Sequence, residues 1–474
     1  MVSPILWRCP QMPHIIYPFK SGLRIHSFTT TSPLSAKPLK PKGSPPSSKM
    51  NPGKQRMQSS KVHVKKKPIM VQKPAYEVGQ RKELRKRIVL SNTNAIPVVL
   101  PTMTADLIGN EDAAGAMFAL PSREADTIVD RLRALEAFQT KQHWPFFYRP
   151  CTLFRKETVE VGRLLERVMR REGAGEDGRV NERAILHGYY GCGRSMLLLQ
   201  AMTWALQKEW VVIAIPNAQD LVIGHTEYEL EGNSHLWLQK AYTTDLLNRV
   251  LEANQKTLKG VGFPSSCPAR AMMKISQSYR LGRTDEVQKG DLMKTVLETA
   301  VLDPLLAWDA FNALLGELSL PGSPPALFAL DNLNQISIPS KYRDPAFNAI
   351  HSHDLALPNT FLAYLSGKRG FHKGVTLAAT SSKCSRTLAL DAALEGRGVD
   401  PYERLDPRIG PSIEGAQIIH VDSLSKEEAK ALMDYYNESG IMKDPVDIAT
   451  FNEKYAVSAG NPRDLFGACL RIRQ

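Results

Sequence analysis

The sequence predicts an α/β fold in which a parallel sheet is flanked by helices. Two apolar runs carry this prediction, residues 184–187 and 210–215, and a strongly helical segment, residues 194–208, lies between them. Strand, helix and strand in this order form a βαβ unit, whose two strands are parallel. The second run is apolar at every position, as expected of a strand that is covered on both faces.

Two further strands and several helices complete this prediction. Residues 326–330 and 375–379 are short apolar runs of the same kind. Helices are expected over residues 128–138 and 155–171, where apolar side chains recur at helical spacing. Residues 217–320 look mainly helical, and residues 340–370 look like a loop-rich insertion. Together these elements predict an α/β domain over residues 91–420.

The end of the chain predicts a small helical unit, residues 421–474. Ser425 and Glu428 have the spacing of a capping box, and Gly440 has the position of a helix stop. Two more helices are expected near residues 444–458 and 463–472. This unit is predicted to form a helical lid on the α/β domain.

The positive charge is concentrated at the start of the chain. Residues 1–76 hold 14 Lys and Arg and no Asp or Glu, whereas the remaining 398 residues hold 47 bases and 48 acids. Residues 1–36 combine Arg8, Lys20 and Arg24 with apolar side chains and a Ser- and Thr-rich run, which predicts a mitochondrial transit peptide. The alternative is an ordinary disordered basic terminus.

A basic extension rich in Pro and Lys, residues 37–90, follows the leader. It has few large apolar residues near its start and should be disordered by itself. Its lysines could lie along the phosphates of RNA, because each such contact releases a counterion. The alternative is a solvated linker with no partner.

Three kinds of structure are disfavoured by the composition: a membrane span, a disulfide framework and a zinc site. The sequence contains no run of 18 or more apolar residues, so it predicts no membrane span. The six cysteines are scattered and contain no CxxC pair, which argues against a disulfide framework and against a zinc site.

The segment between the first predicted strand and the next helix has the spacing of a P-loop. In Gly188-Tyr-Tyr-Gly-Cys-Gly-Arg-Ser195, arginine stands where the motif has lysine. Glycines allow backbone N–H groups to surround a phosphate, and the helix N-terminus adds its dipole. Ser195 would bind Mg²⁺ through its hydroxyl. The predicted contacts with nucleotide come from Gly188, Gly191, Cys192, Gly193, Arg194, Ser195 and Met196. The alternative is a glycine-rich turn that binds no ligand.

The strand at residues 326–330 resembles a Walker B strand, because it ends in Asp331. This carboxylate could hold Mg²⁺ through water, or it could simply cap the strand end. In ATPases that hydrolyse nucleotide an acid often follows, and here that position is Asn332. An amide cannot accept a proton, so we predict no catalytic residue and a site that holds nucleotide with little or no turnover.

Weaker signals lie further along the chain. Thr380 ends the fourth predicted strand, where a sensor of the terminal phosphate would lie, and Arg463 could reach nucleotide from the lid. Each could equally be a plain turn or helix residue. His351 and His353 are interpreted as surface residues, since their loop offers no fixed set of metal ligands.

These segments resemble the death-associated-protein-3 family of mitochondrial small-subunit ribosomal proteins, in a fungal-type form. The resemblance covers residues 120–474. It depends on the P-loop, on WVVIAIPNAQDLV at residues 210–222, on SHLWLQKAYTTDLL at residues 234–247, and on FALDNLN at residues 328–334.

The resemblance implies an AAA+-like P-loop fold and a place in the head of the small subunit of the mitochondrial ribosome. The implied partners are small-subunit rRNA and neighbouring mitochondrial ribosomal proteins, and we expect no homo-oligomer. The implied ligand is GTP or GDP, with ATP possible, together with Mg²⁺. Carried over to this chain, Gly191, Gly193, Arg194 and Ser195 would surround the phosphates, and Ser195 and Asp331 would hold the metal.

The predicted function is therefore that of a structural ribosomal component in the mitochondrial matrix that keeps a bound purine nucleotide. Two alternatives are an active mitochondrial NTPase that acts as a switch or remodelling factor, and a signalling adaptor linked to apoptosis.

Overall fold

The structure is a computed structural model that describes residues 88–122, 128–170, 179–232, 235–260, 291–382, 387–396 and 405–470. These residues belong to one compact unit that begins at Tyr76. The transit peptide at residues 1–36 and nearly all of the extension at residues 37–90 lie outside the described residues, so both remain predictions.

The strands fall into one five-stranded sheet and three small antiparallel pairs. In chain order they are β1 Met117–Ala119, β2 Cys151–Leu153, β3 Val180–Gly188, β4 Val211–Ile215, β5 Glu229–Leu230, β6 Trp237–Leu238, β7 Ala326–Asp331, β8 Pro339–Arg343, β9 Ala349–His351, β10 Lys373–Ala379 and β11 Gln417–Val421.

The five-stranded sheet is parallel throughout, in the order β11-β3-β10-β7-β4. The predicted α/β class and the four predicted strands are confirmed. The sequence did not predict β11, because polar Gln417 and His420 are exposed on this edge strand and interrupt its apolar pattern.

The helices cover both faces of this sheet. In chain order they are α1 Ile128–Ala134, α2 Lys156–Arg170, α3 Arg194–Gln207, α4 Gln219–Val222, α5 Lys240–Ala253, α6 Asp291–Leu302, α7 Ala307–Leu318, α8 Ala356–Leu365, α9 Leu388–Glu395, α10 Ile409–Ile413, α11 Lys426–Glu438, α12 Ile448–Ser458 and α13 Pro462–Cys469. Short 3₁₀ turns join several of them.

Successive residues of the central strands point into two different cores, one on each face of the sheet. Ile185 and Phe328 belong to one core, which also contains α5, α6 and α7. Leu186 and Leu327 belong to the other, which also contains α2 and α3. Because both faces are covered, the strands are apolar at consecutive positions, and this explains the runs seen in the sequence.

Two sequence predictions need correction. Residues 340–370 are not loop-rich, since they contain part of the β8–β9 hairpin and the buried helix α8. The first helix ends at Ala134 and does not reach residue 138, because Glu136 takes a left-handed turn with φ of 53°. The largely helical content of the long segment after β4 is confirmed for its described part, although β5 and β6 interrupt it.

The C-terminal helices pack around a third core. The predicted capping box begins α11: the Ser425 hydroxyl accepts from the Glu428 amide at 3.1 Å, and the Glu428 carboxylate accepts from the Ser425 amide at 3.0 Å. Side chains of α11 and α13 pack there against Phe147 and Cys151. The helical unit therefore lies beside the end of β2.

None of the helices in the described ranges is long and apolar enough to cross a membrane.

The aromatic pair Phe328 and Phe361 gives a test of the central core. Phe328 is fully buried on β7, and its ring meets the Phe361 ring edge to face at 4.9 Å. We expect Phe328→Ala to lower the free energy of unfolding by about 3–5 kcal/mol, because it leaves a cavity that the sheet cannot close.

The matched control is Phe347→Ala, because Phe347 is 85% exposed at the tip of the β8–β9 hairpin. We expect a change within about 0.5 kcal/mol there. Urea denaturation measures both variants, and equal losses of stability would contradict this packing.

Candidate functional site

The carboxyl ends of three parallel strands meet at one edge of the sheet. Ala379 at the end of β10 lies opposite Leu186 of β3 on one side and opposite Asp331 of β7 on the other. The P-loop leaves β3 at Gly188 and enters α3 at Arg194. The register of the sheet therefore places the P-loop next to Asp331.

The shape of the P-loop requires its glycines. Gly191 and Gly193 have φ of +84° and +104°, a left-handed conformation that side chains rarely adopt. A Cβ atom on Gly191 would lie 2.8 Å from Oδ1 of Asn461, and one on Gly188 would collide with the carbonyl oxygen of Val421. Gly191 and Gly193 suit a loop whose backbone amides face a ligand. Gly188 must be glycine because it lies in close contact with β11.

Ser195 and Asp331, the two predicted metal ligands, are in direct contact. The Ser195 hydroxyl donates to Oδ2 of Asp331 at 2.6 Å, and the Asn332 amide donates to Oδ1 at 2.8 Å. The Gln139 side chain also donates to Asp331. Burial raises the pKa of Asp331, and these hydrogen bonds oppose that rise. The sequence did not reveal Gln139, which is 192 residues away.

Arg194, which replaces the usual lysine, is turned into the protein. Its guanidinium donates to the Thr380 hydroxyl at 2.7 Å, to the Ser382 hydroxyl at 3.0 Å and to the Tyr189 carbonyl at 3.2 Å. Burial lowers its pKa. Arg194 therefore ties the P-loop to the end of β10, and Thr380 serves as its acceptor.

Asn332 is held by a second amide. Its backbone is left-handed, with φ of 66°, and its side-chain Nδ2 donates to Oδ1 of Asn217 at 2.8 Å. Asn217 lies just after β4, so the contact joins the ends of two neighbouring strands. An amide held in this way offers no base to an attacking water.

Arg155 joins the P-loop to the C-terminal helical unit. It donates to the Cys192 carbonyl at 2.8 Å and to the Asp422 carbonyl at 2.9 Å. Its Nε lies 3.3 Å from a carboxylate oxygen of Glu157 and 3.7 Å from one of Glu428. All three charged side chains are buried. No local signal in the sequence indicates this cluster, because the Asp422 carbonyl that Arg155 contacts is 267 positions away and Glu428 is more distant still.

The start of α13 also contacts the P-loop. The Asn461 side chain donates to the Tyr190 carbonyl at 2.7 Å, and the guanidinium carbon of Arg463 lies 4.3 Å from the centroid of the Tyr190 ring. Phe466 stacks on His143 at 4.1 Å. Burial, followed by repulsion from Arg463, lowers the pKa of His143. The helical unit thus closes one side of the loop.

These contacts surround a cavity of about 250 Å³. Of the ten predicted site residues, Gly188 does not line this cavity. The other nine do: Gly191, Cys192, Gly193, Arg194, Ser195, Met196, Asp331, Thr380 and Arg463. Cys192 is buried, and burial raises the pKa of its thiol. Residues that the sequence did not predict, including Gln139, Lys141 and Arg155, also line the cavity.

The interpretation of His351 as a surface residue is wrong. His351 is 8% exposed, and its Nε2 lies 3.1 Å from a carboxylate oxygen of Asp406. His353 is partly buried beside it, and burial lowers its pKa to about 4. Within the described ranges, no group of three or more His, Cys, Asp and Glu side chains is arranged to hold a metal ion.

Comparison with known proteins gives the same answer as the motifs. A model of the family described as mitochondrial ribosomal death-associated protein 3 matches residues 152–468, which is more than half of the chain. The chain belongs to this family. The resemblance drawn from the sequence is therefore confirmed.

Two curated relatives of this chain are named small ribosomal subunit protein mS29. The protein from Neurospora crassa is 36% identical over 398 residues, which cover 80% of each chain. The protein from Schizosaccharomyces pombe is 27% identical over 365 residues, which cover 76% of this chain and 71% of the relative.

Among solved structures, a Walker-type ATPase of Pyrococcus abyssi covers 68% of this chain and 69% of its own. The TM-score is 0.34 and the sequence identity is 12%.

The buried Arg155 cluster predicts a large loss of stability in this family member. We expect Arg155→Ala to cost about 3–5 kcal/mol in the free energy of unfolding, because it leaves Glu157 and Glu428 buried without their cation. Arg163→Ala is the matched control on α2, where the pair with Glu111 is more than half exposed. There we expect less than about 1 kcal/mol, and similar losses in both variants would contradict the cluster.

The raised pKa of Asp331 predicts the sign of a pH dependence in protein free of nucleotide and metal. From about pH 4, where an unfolded carboxyl ionises, up to the raised pKa of the folded state, the folded state binds more protons than the unfolded state. We therefore expect wild type to lose stability relative to Asp331→Asn as pH rises through this window.

The control for this pH dependence is Asp344→Asn. Its hydrogen bond with Asn348 lowers the pKa of Asp344. That carboxylate therefore adds stability as pH rises towards the unfolded pKa of about 4, and its slope, which lies below this pH, has the opposite sign. Denaturation midpoints at several pH values measure both slopes, and equal signs would contradict the assignment for Asp331.

Proposed function

We propose that this protein is a structural component of the mitochondrial small ribosomal subunit that holds a purine nucleotide without turning it over. Membership of the family and the two relatives named as small ribosomal subunit proteins support the assembly and a location in the mitochondrial matrix. Its partners there are small-subunit rRNA and neighbouring ribosomal proteins.

The observation that carries nucleotide binding is the contact between Ser195 and Asp331 beside a glycine loop. Ser195 lies in the first turn of the long helix α3, whose first amides and dipole favour an anion. The strand that ends in Asp331 is separated from the P-loop strand by β10. This arrangement supports an AAA+-like P-loop fold, with a C-terminal helical lid formed by α11, α12 and α13.

The residues at this site fit Mg²⁺ bound to nucleotide. A serine hydroxyl and a carboxylate are oxygen donors of the kind that Mg²⁺ prefers, and the ion keeps several of its waters. The ion would neutralise phosphate charge and relieve the cost of burying the Asp331 carboxylate. The Ser195 hydroxyl would then turn from Asp331 to the metal. The Gln139 side chain and the backbone amide of Asn332 would continue to donate hydrogen bonds to the Asp331 carboxylate.

The absence of turnover follows from Asn332 and Arg194. The side-chain amide of Asn332 donates a hydrogen bond to Asn217, and an amide cannot accept a proton from water. The Arg194 guanidinium is committed to Thr380, Ser382 and a loop carbonyl. A ligand that binds only the folded state adds about 2.7 kcal/mol of stability at 100 times its Kd, so the nucleotide acts as a staple for the fold.

The two alternative functions have less support. An active NTPase needs a base at the position of Asn332, and the amide there supplies none. For an adaptor linked to apoptosis, we find no supporting contact among the described residues.

The proposal is tested on native particles and on purified full chain. We expect the protein to sediment with the small ribosomal subunit in mitochondrial extracts, and we expect chromatography of the extracted particle to detect a guanine or adenine nucleotide. Purified protein should bind nucleotide with Mg²⁺ and release no more than one equivalent of product. Failure to sediment with the subunit would refute the structural role.

Ser195→Ala tests the site itself. We expect it to weaken Mg²⁺-dependent nucleotide binding about tenfold, because one charge-assisted contact is lost. Ser366→Ala is the control, since Ser366 follows α8 and its hydroxyl contacts only a nearby carbonyl in the described structure. Multiple turnovers that disappear in Ser195→Ala would instead establish the active NTPase.

A further inference from the structure

The cavity beside the P-loop has several cations, but most of them are already engaged. Arg155 and Arg194 are buried, and both donate to carbonyl groups of the P-loop. Arg463 lies on the Tyr190 ring. These three side chains position the loop, and each would have to break existing contacts to follow a ligand.

Arg194 in particular is poorly placed to act as the missing lysine. A lysine in a P-loop reaches the terminal phosphates as a compact charge on a flexible stem. Three donor contacts hold the planar fork of Arg194, and the Thr380 hydroxyl that it contacts is 3% exposed. Swinging the guanidinium towards a phosphate would break all three contacts, one of them with the hydroxyl of the buried Thr380.

Lys141 has the opposite character. It is exposed, it lines the same cavity as Ser195 and Asp331, and its ammonium has no hydrogen bond or ion pair with any described residue. It also lines the adjoining groove, together with Asn332 and Ser381. Its side chain is therefore free to move where the cavity meets this groove.

The backbone of Lys141 is nevertheless fixed with respect to Asp331. Lys141 belongs to the 3₁₀ turn Thr140–Gln142, which follows Gln139 directly. Gln139 donates to Asp331 through its side chain, and its amide donates to the Gln142 side chain at 2.7 Å. The buried Trp144 donates to the same Gln142 oxygen at 2.9 Å. The backbone of the turn is thus fixed by hydrogen bonds, whereas the side chain of Lys141 can change its conformation.

We propose that Lys141 supplies the cation for the terminal phosphate of the bound nucleotide, in the place that the lysine of the P-loop fills elsewhere. The role of Arg194 is then to shape the loop. This inference rests on the proposed nucleotide site. It extends that site to a residue outside the motif, some fifty positions earlier in the chain.

The division of roles makes a specific prediction about phosphate number. The terminal phosphate meant here is the third (γ) phosphate, which only a nucleoside triphosphate has. A cation at that phosphate favours the triphosphate over the corresponding diphosphate. We expect Lys141→Ala to weaken triphosphate binding about tenfold and diphosphate binding much less, because one charge-assisted contact is lost in one ligand only. Lys141→Arg should keep most of the preference, because the positive charge remains.

The experiment is a titration of the full chain with fluorescent guanosine and adenosine di- and triphosphates in the presence of Mg²⁺. The matched control is Lys368→Ala, because Lys368 is exposed and lies before β10, at the opposite edge of the sheet. Circular dichroism checks that each variant unfolds at the same denaturant concentration as wild type.

The outcomes separate this inference from the function on which it rests. If wild type binds no nucleotide, the proposed site fails and the role of Lys141 fails with it. If wild type binds nucleotide but Lys141→Ala keeps the same ratio of triphosphate to diphosphate affinity, only the role of Lys141 is overturned. A loss of that ratio in Lys141→Ala, with no loss in Lys368→Ala, supports it.

Discussion

The buried guanidinium of Arg155 is the constraint on which the rest of the site depends. It binds a carbonyl of the P-loop and a carbonyl after β11, and it neutralises the carboxylates of Glu157 and Glu428. Glu428 also closes the capping box that begins α11. A buried cation with two buried anions is stable only if all partners stay in place. The loop, the sheet edge and the helical unit are therefore held in one arrangement.

Within that arrangement, the departures from an active P-loop have a consistent physical meaning. Arg194 gives up a mobile charge and gains three contacts that hold the loop on β10. Asn332 gives up a base and joins two strand ends through Asn217. Each substitution removes a group that hydrolysis would use and adds hydrogen bonds that hold neighbouring elements together. In the function that we propose, a bound ligand would stabilise the fold of a protein that serves as a fixed part of a large particle.

Much of the fold could be predicted because its signals are local. The apolar runs of the central strands, the spacing of the glycines, and the capping box at Ser425 each fall within a few residues of sequence. The edge strand β11 escaped prediction because polar residues alternate along it, and the insertion around α8 was mistaken for loop. Partners such as Gln139 and Asn217 escaped for a different reason, since they contact Asp331 and Asn332 from 192 and 115 residues away.

The sequence by itself determined the α/β class, the place of the P-loop between strand and helix, the pairing of Ser195 with Asp331 in one motif set, and the family. These follow from the periodicity of burial and from the conformational freedom of glycine, which act over short distances. The tertiary structure alone decided that Arg194 turns inward, that Arg155 joins the helical unit to the loop, and that Lys141 lines the same cavity as Asp331 without a partner among the described residues. Those facts depend on which distant side chains become neighbours after the sheet has formed, and no short segment of sequence encodes them.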